Sequence, residues 1–401
     1  MQLHFSLDGG PIYRDALGET DTEFAFSIAE YQARISKLRH TMATRAIDSL
    51  VVTFPPNVLY LSGFQTFSNY NGEALLVPIE GDPLLIVDGP EAGGALLHSW
   101  VTRQFTYKPD LSHESQLATL LADQDLDQKR IGVESGTRGV PANFLTTLAD
   151  LLPNSEIVDI GDMIDNLKAI KSPAEIQYIR TAAAVTDIGI KAAVEAACEG
   201  GSDNGIAAAA SQAMISAGSE YMCLSPIVTS GPRSGILHTT HKRNTLENGD
   251  IILVEMGASY QRYTAPTMRT ISIGEPNDEA ERMLEACLSA LNNVLTQLRP
   301  GISAHEVAEA GWEAMRGAGA GYVFHGSFGY AVGAGFPPYW ADGTASLKSG
   351  IQIILEPGMV FHHPIALRKL GHYGVAFSET SVITEEGHEV LTNSPRQLQI
   401  K

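Results

Sequence analysis

Cysteine is scarce in this chain of 401 residues, which has only three, at Cys198, Cys223 and Cys287. They lie far apart and form no CxxC pair, so we expect neither a disulfide framework nor a zinc knuckle. Long apolar runs are also lacking, because no stretch approaches the ~18 residues that a membrane span needs. The N-terminus has no basic region followed by an apolar stretch, as a signal peptide would. These absences predict a cytoplasmic protein.

Basic residues are few as well, with Lys+Arg 27 against Asp+Glu 46 and a formal charge of −19. Such a surface repels nucleic acid and anionic lipid, so neither is an expected partner. It weakly favours small cationic or zwitterionic molecules, although solubility alone also explains the charge. An apolar fraction of 44% is that of a globular protein with a large core, and the length allows two domains.

The first part of the chain has an α/β pattern. Residues 1–25 show no periodicity and are expected to form an extended arm. Helical spacing follows over residues 30–46, and the segment NVLYLSGF forms a short element that ends at Gly63. Alternating or apolar runs predict strands at residues 48–54, 73–79, 81–88 and 130–134. A last periodic segment predicts a helix at residues 142–152. We predict a smaller α/β domain over residues 1–167.

A long helix opens the second part of the chain. Ser172 can cap it, with Pro173 at the first helical position and Glu175 three residues after the cap. Beyond it, antiparallel-type strands and two helices, at residues 278–298 and 303–317, follow without strict βαβ alternation. This arrangement indicates α+β structure for a second domain over residues 168–401.

Six separated segments resemble, in order, the signatures of the M24 creatinase/prolidase family. The first lies in the N-terminal domain and the rest follow in the C-terminal one: RISKLRHTMATRAIDSLVVTFPPNVLYLSGF, KSPAEIQYIRTAA, ILHTTH, GDIILVEMGASYQRYTAPTMRT, LEPGMVF and SETSVITEEGHEVLT. The resemblance implies an α+β fold, with a C-terminal pita-bread catalytic domain and a smaller N-terminal α/β domain. It also implies a homodimer in which the N-terminal domain of one subunit overhangs the pocket of the other.

Peptidases of this family hold two metal ions between carboxylates and a histidine. The resemblance places those ligand positions on residues that are mostly not ligands, namely Glu255, Pro266, Tyr330, Pro364 and either Ser378 or Glu379. Two prolines and a tyrosine cannot replace the converging carboxylates and imidazole that such ions require. We therefore expect no metal and no other cofactor. A regrouping of His325, His362 and His363 around a single ion remains an alternative.

Among the metal-free members, this chain is most similar to the ectoine hydrolases. The shared features are a glutamate at the position of Glu255, the stretch GYAVGAGFPPYW, the turn GMVFHH, the triplet SET and a C-terminal NSPRQL. Creatinase differs, because it carries a glutamate where this chain has Met268. The chain also departs from the ectoine hydrolases, which tend to read PPDWGER where this chain has PPYWADG, and its loop at residues 65–72 looks different. These departures leave the substrate open within the branch.

Three residues are predicted to be catalytic. Glu255 lies in an apolar strand-like run, where burial would raise the pKa of the carboxyl and make it a base or a poorly solvated nucleophile; a salt bridge to Arg269 is the structural alternative. His238 occupies the position of the family's proton-handling histidine, and a surface histidine is the alternative. Glu379 is expected to be a second carboxylate that anchors a substrate cation.

A second group of residues is predicted to bind the substrate. Tyr330, His362, Tyr263 and Trp340 can line a pocket with hydroxyl, imidazole and ring groups, or can be ordinary core. The lid implied by the resemblance would use aromatic residues near Gly63, with Phe64, Phe67 and Tyr70 as candidates, unless these residues merely pack between domains. An arginine or a backbone donor must hold a substrate carboxylate, and Arg233 is one choice.

Together these residues predict a metal-independent hydrolase that opens a C–N bond in a small zwitterionic compound. The resemblance makes hydrolysis of the ectoine ring to N-acetyl-2,4-diaminobutyrate the leading activity. A creatinase-type amidinohydrolase acting on a guanidino compound is the first alternative. A non-catalytic peptide-binding module of the same fold is the second, and the acidic charge together with Glu255 and His238 argues against it. A metallopeptidase is the least favoured, because its ligands are missing.

Overall fold

The computed structural model describes residues 9–68, 72–134 and 143–401. The chain forms two compact units, Met1–Leu167 and Lys168–Lys401. The fold class predicted from the sequence is confirmed, since strands and helices mix in both units and the second has the pita-bread architecture. Across the described ranges, no helix combines the length and the apolar character needed to cross a bilayer.

The first unit contains a mixed seven-stranded sheet with strand order β1-β5-β4-β3-β2-β6-β7. Its strands are β1 (Gly10–Ile12), β2 (Ser49–Val52), β3 (Ala74–Pro78), β4 (Leu84–Val87), β5 (Arg103–Thr106), β6 (Arg130–Val133) and β7 (Glu156–Asp159). Strand β1 pairs antiparallel with β5. The extended arm predicted for residues 1–25 is therefore not a free arm over its described part.

Helices flank this sheet and bury their apolar faces against it. They are α1 (Ile28–Thr44), α2 (Pro55–Ser62), α3 (Ala92–His98), α4 (His113–Ala122), α5 (Phe144–Leu151) and α6 (Met163–Ala169), which contains the boundary between the units. The segment NVLYLSGF lies within and just after α2. This helix ends because Gly63 adopts φ 78°, a left-handed conformation that glycine accepts without strain.

Two pairs of helices shape the second unit. They are α7 (Pro173–Ala196), α8 (Asp203–Ser216), α9 (Asp278–Gln297) and α10 (Ala304–Met315). The predicted start of α7 is present as a capping box, in which the Ser172 hydroxyl accepts from the Glu175 N–H and the Glu175 carboxylate accepts from the Ser172 N–H. Ser303 and Glu306 form the same motif at α10.

The strands of the second unit form three sheets. The first has the order β20-β12-β9-β8, made of β8 (Ile227–Ser230), β9 (Ile251–Met256), β12 (Thr267–Ser272) and β20 (Gln399–Ile400). The second has the order β10-β11-β13-β15-β18-β19 with β14 beside β13, made of β10 (Ser259–Tyr260), β11 (Tyr263–Thr264), β13 (Tyr330–Phe336), β14 (Tyr339–Ser346), β15 (Val360–His362), β18 (Thr380–Ile383) and β19 (His388–Val390). The third is a hairpin of β16 (Ile365–Lys369) and β17 (Tyr373–Phe377).

The two faces of β9 pack against different parts of the second unit, because successive side chains of a strand point to opposite sides. Ile252, Val254 and Met256 share an apolar core with residues of α7 and α8. Leu253 faces the other way, into a small apolar cluster with residues of β12, β16 and β17. Glu255 belongs to this second face, so its carboxylate points away from the helical core and toward the β16–β17 hairpin.

Candidate active site

Glu255 lies in an apolar environment and has no direct polar partner in the part of the chain that the structure describes. Its cross-strand neighbours are Ile227 on β8 and Met268 on β12, and the residue is 8% exposed. Among the described residues, none forms a hydrogen bond or an ion pair with its carboxylate. Burial raises the pKa of Glu255 to about 7, and the charge of Arg368 opposes the rise. At neutral pH the carboxyl can therefore both accept and return a proton.

Arg368 approaches Glu255 from the β16–β17 hairpin. Leu253 on β9 and Ala366 on β16 belong to the same apolar cluster. Glu255 and Arg368 each lie two residues further along the same faces of those strands, which brings a buried anion and a buried cation together. Each affects the pKa of the other, and Arg368 is 4% exposed. None of the sequence motifs points to Arg368, although a charged residue inside the mostly apolar run PIALRKL is a usable signal.

Two histidines extend this cluster toward solvent. Arg368 Nη1 donates to His325 Nδ1 at 3.4 Å, so the proton of the neutral ring is on Nε2. Burial, Arg368 and His238 together lower the pKa of His325 to about 4, so this ring is neutral at physiological pH. His238 is exposed, with a left-handed φ of 57°. His238 is therefore coupled electrostatically to His325, which contacts Arg368, the cation coupled to Glu255.

Tyr330 stands at the centre of a hydrogen-bond chain beside Glu255. Its hydroxyl accepts from Trp340 Nε1 at 2.8 Å and is hydrogen-bonded to His362 Nδ1 at 2.8 Å. His362 Nε2 continues the chain to Ser378 Oγ at 2.7 Å, and that oxygen accepts from the Met268 N–H at 2.6 Å. Burial raises the pKa of Tyr330 far above its usual value, and the Glu255 charge adds to the rise. Burial likewise keeps the His362 pKa well below 6.5.

The tautomer of His362 decides whether the proton of the Tyr330 hydroxyl is available to the site. If Ser378 donates to His362 Nε2, then His362 Nδ1 donates to Tyr330 and the phenol proton is free for another acceptor. In the other tautomer, Tyr330 donates to His362 and the proton is engaged. Two of the predicted substrate-binding residues, Trp340 and His362, thus act on the site through Tyr330, which is the residue coupled to Glu255.

The predicted role of Glu379 as an anchor for a substrate cation is not supported. Its carboxylate accepts from Arg269 Nη2 at 2.7 Å, from Arg396 Nε at 2.8 Å and from the Thr392 hydroxyl, and the residue is 1% exposed. Arg269 therefore pairs with Glu379, and the salt bridge to Glu255 considered as the structural alternative does not form. Glu379 lies in a buried ion-pair network outside the Glu255 cluster.

Ser378, adjacent in the chain, is the residue of this pair that faces the site. Its hydroxyl contacts His362, whereas the Glu379 carboxylate points to the opposite side, as expected for neighbours in extended chain. The sequence left open which of the two matches the last metal-ligand position of the family. The geometry favours Ser378, whose hydroxyl is no substitute for a carboxylate ligand.

The remaining predicted substrate-binding residues lie elsewhere. The Tyr263 hydroxyl donates to Glu175 Oε1 at 2.8 Å, which ties β11 to the start of α7. Phe64 is 2% exposed and belongs to the core of the first unit, a position that favours a packing role. Phe67 is 82% exposed and is the more accessible aromatic of the predicted lid. Tyr70 lies outside the described residues.

The side chains present do not fit a dinuclear metal centre. Within the described ranges, no group of three His, Cys, Asp or Glu side chains is placed to hold an ion. Both ring nitrogens of His362 and of His363 are engaged in hydrogen bonds. The regrouping of His325, His362 and His363 around one ion is therefore not supported, because these lone pairs and protons are already used.

Comparison with known proteins places these features in a family. The model for metallopeptidase family M24 matches residues 177–385, and the model for the creatinase/prolidase N-terminal domain matches residues 34–170. The two matches lie in order along the chain and together cover most of it. They agree with the resemblance drawn from the sequence motifs.

Individual relatives differ in activity. Ectoine hydrolase of Halomonas elongata is 30% identical over 396 residues, covering 94% of this chain and 98% of the relative. An Xaa-Pro dipeptidase of Pyrococcus horikoshii is 27% identical, covering 91% of this chain and 98% of that protein. The crystal structure of the prolidase from Pyrococcus horikoshii OT3 superposes with a TM-score of 0.80 at 26% identity, covering 91% of this chain and 99% of that one.

Proposed function

The chain belongs to metallopeptidase family M24 and is a hydrolase of that family, and from this premise we propose that it opens a C–N bond without a metal ion. The substrate class is a small zwitterionic cyclic amidine, with ectoine as the leading candidate and N-acetyl-2,4-diaminobutyrate as the product. The 30% identity to an ectoine hydrolase supports this substrate, although Xaa-Pro dipeptidases are similar to the chain to a comparable degree.

One observation carries the proposal. At the positions that match the metal ligands of the relatives, this chain has one carboxylate that accepts no hydrogen bond from the described residues, Glu255, and its pKa is about 7. A carboxylate bound to ions would instead have a depressed pKa and several neighbouring carboxylates. The environment of Glu255 suits direct acid/base or nucleophilic chemistry.

The reaction adds one water across the amidine. Either Glu255 removes a proton from water, which attacks the amidine carbon, or the carboxylate attacks that carbon itself and water then releases the product. One C–N bond breaks, the carbon becomes the acetyl carbonyl, and the leaving nitrogen takes a proton to become an amine. His238 is the proposed proton carrier because it is exposed and is coupled electrostatically to His325, which contacts Arg368. Tyr330 can donate to the developing negative charge.

The decisive experiment incubates purified protein with ectoine in excess EDTA and identifies the product by mass spectrometry. We expect N-acetyl-2,4-diaminobutyrate from the wild type and none from Glu255→Gln, which keeps the shape but not the charge. Glu356→Gln, at an exposed position, is the matched control and should retain activity. Absence of turnover with both ectoine and hydroxyectoine would remove the named substrate.

The alternatives predict different outcomes in the same assay series. Urea release from creatine would indicate a creatinase-type amidinohydrolase. Cleavage of glycyl-proline that is lost in EDTA and restored by Mn²⁺ would indicate a metallopeptidase and overturn metal independence. Binding without turnover of any of these compounds would favour a non-catalytic module. The homodimer and the cytoplasmic location remain predictions, and sedimentation of the purified protein tests the first of them.

A further inference from the structure

The buried arginines of the second unit differ in how many hydrogen bonds and ion pairs their guanidinium groups form. Arg269 is 1% exposed and donates to four backbone carbonyl oxygens and to the Glu379 carboxylate. Arg262 is 0% exposed, donates to two backbone carbonyls and faces the Glu220 carboxylate at 3.5 Å. Arg368 is 4% exposed, yet within the described part of the chain its guanidinium has one hydrogen bond, the 3.4 Å contact to His325.

The buried N–H donors of Arg368 that have no acceptor reduce the stability of the folded protein. A guanidinium has five N–H donors and remains charged in proteins. The Nε of Arg368 is buried without an acceptor, as is that of Arg262, but unlike Arg262 it has no carboxylate of the described residues within ion-pair distance. A charge taken out of water without a partner is strongly destabilising unless something else supplies the partner. Glu255 is coupled to Arg368, but the two form no hydrogen bond.

We propose that Arg368 binds the carboxylate of the substrate, and that it sets the specificity of the Glu255 site for compounds that carry one. The guanidinium fork matches a carboxylate in two parallel hydrogen bonds, which neither a lysine nor a backbone amide provides. The proposal rests on the proposed function for the choice of ectoine. It replaces Arg233, the choice made from the sequence, because Arg233 is only half-buried, so that water can reach its side chain, whereas Arg368 is 4% exposed.

The geometry also orients the substrate. A zwitterion bound with its carboxylate at Arg368 presents its cationic ring to Glu255, whose charge is coupled to that guanidinium, and to Tyr330, which is coupled to Glu255 in turn. His325 positions Arg368 and does not compete for the anion, since its acceptor Nδ1 faces the guanidinium. The substrate carboxylate then occupies the donors that the protein leaves unused.

The test compares two substrates that differ only in the carboxylate. These are ectoine and 2-methyl-1,4,5,6-tetrahydropyrimidine, the same amidine ring without the acid group. A pair of charge-assisted hydrogen bonds predicts that the wild type prefers ectoine in kcat/KM by about 10- to 100-fold. In Arg368→Gln this preference should fall to about one, and Arg368→Lys should keep part of it. A preference that stays unchanged in Arg368→Gln would overturn the proposal.

Two control variants separate recognition from folding. Both substrates are measured on the same sample, so a partly unfolded preparation lowers both rates and leaves their ratio intact. Arg262→Gln removes a buried arginine that we place outside the site and should not change the preference. Arg233→Gln should also leave it unchanged, and loss of the preference in this variant but not in Arg368→Gln would assign the carboxylate to Arg233.

A second experiment tests the role of Arg368 even if the protein does not hydrolyse ectoine. If the wild type hydrolyses neither amidine, binding of ectoine, creatine and glycyl-proline is measured by calorimetry, because each carries a carboxylate. The inference stands if the ligand that binds loses at least about tenfold in affinity in Arg368→Gln but not in Arg262→Gln. It fails if affinity is independent of Arg368, or if none of the three carboxylates binds.

Discussion

At the scale of single residues, the pKa of Glu255 controls the chemistry we propose. Burial favours the protonated form and Arg368 favours the ionised form, and the balance puts the pKa at about 7. Tyr330 is coupled to the same charge, while His325 is already neutral above its pKa of about 4. The reactive form of Glu255 as base or nucleophile is the ionised one, so its population changes most steeply near neutral pH.

We therefore expect kcat/KM to rise with pH along a limb centred near pH 7. In Arg368→Gln the midpoint should move upward, because the cation that lowers the Glu255 pKa has been removed. The measurement is a pH–rate profile of both proteins with saturating and subsaturating ectoine. A profile that is flat between pH 5 and 9 in the wild type would assign the catalytic proton to another group.

The raised Glu255 pKa also predicts a stability effect. Folding favours the protonated carboxyl, so the wild type loses stability as pH rises from the unfolded pKa near 4.5 through the folded pKa of about 7. Glu255→Gln does not titrate, so its advantage over the wild type should grow by about 2 kcal/mol between pH 5 and pH 8. Urea denaturation at the two pH values measures this. An advantage that is constant with pH would mean that Glu255 is not buried as an isolated acid.

Glu379 is expected to stabilise the fold and to take no part in substrate binding. Its removal in Glu379→Gln leaves the buried Arg269 guanidinium without its counter-ion and should cost about 3 kcal/mol of unfolding free energy. Arg396, which is 32% exposed, is the matched control, and Arg396→Gln should cost less than about 1 kcal/mol. Denaturant midpoints give the stabilities and Michaelis constants test the site. A raised KM in Glu379→Gln with unchanged stability would restore its predicted role as a substrate anchor.

At the scale of elements, helix α10 packs tightly against the segment that leads into β13. A Cβ added at Gly311 would lie 2.3 Å from the ring of Phe328, which is 0% exposed. Alanine in a helix normally gains up to about 1 kcal/mol over glycine. Overpacking a closed core costs about 1–3 kcal/mol. The clash should therefore outweigh the propensity gain at this contact.

Gly311→Ala is thus expected to lower the free energy of unfolding by about 1–2 kcal/mol. Gly93→Ala in α3, where an added Cβ meets nothing within 4 Å, is the matched control and should be neutral or stabilising by about 0.5 kcal/mol. Thermal and urea denaturation compare the two. Equal effects of the two substitutions would contradict the close approach of α10 to Phe328.

At the scale of the whole molecule, metal independence predicts a thermal response that requires no substrate. A ligand that binds only the folded state raises its stability by mass action. Since the proposed site lacks converging ligands, Mn²⁺ or Zn²⁺ should not raise the melting temperature, and EDTA should not lower it. The measurement is differential scanning calorimetry with elemental analysis of the same sample. A stoichiometric metal whose removal lowers the melting temperature would contradict the prediction.

Much of the architecture was readable from local patterns. The cap at Ser172 and the strand around Glu255 depend on residues a few positions apart, so local chemistry is enough to predict them. The match of Pro266, Tyr330 and Pro364 to the ligand positions of the family is likewise a prediction from the sequence motifs alone. The family, the fold class and the burial of Glu255 followed from these signals.

The partners of the charged residues were decided only by the tertiary structure. Arg269 and Glu379 are 110 positions apart, and the side of a strand that a residue faces changes with a shift of one position. Ser378 therefore faces His362 while Glu379 faces Arg269. The approach of Arg368 to Glu255 depends in the same way on how a hairpin packs on a sheet. Sequence determined which chemical groups are available, and long-range packing determined which of them meet.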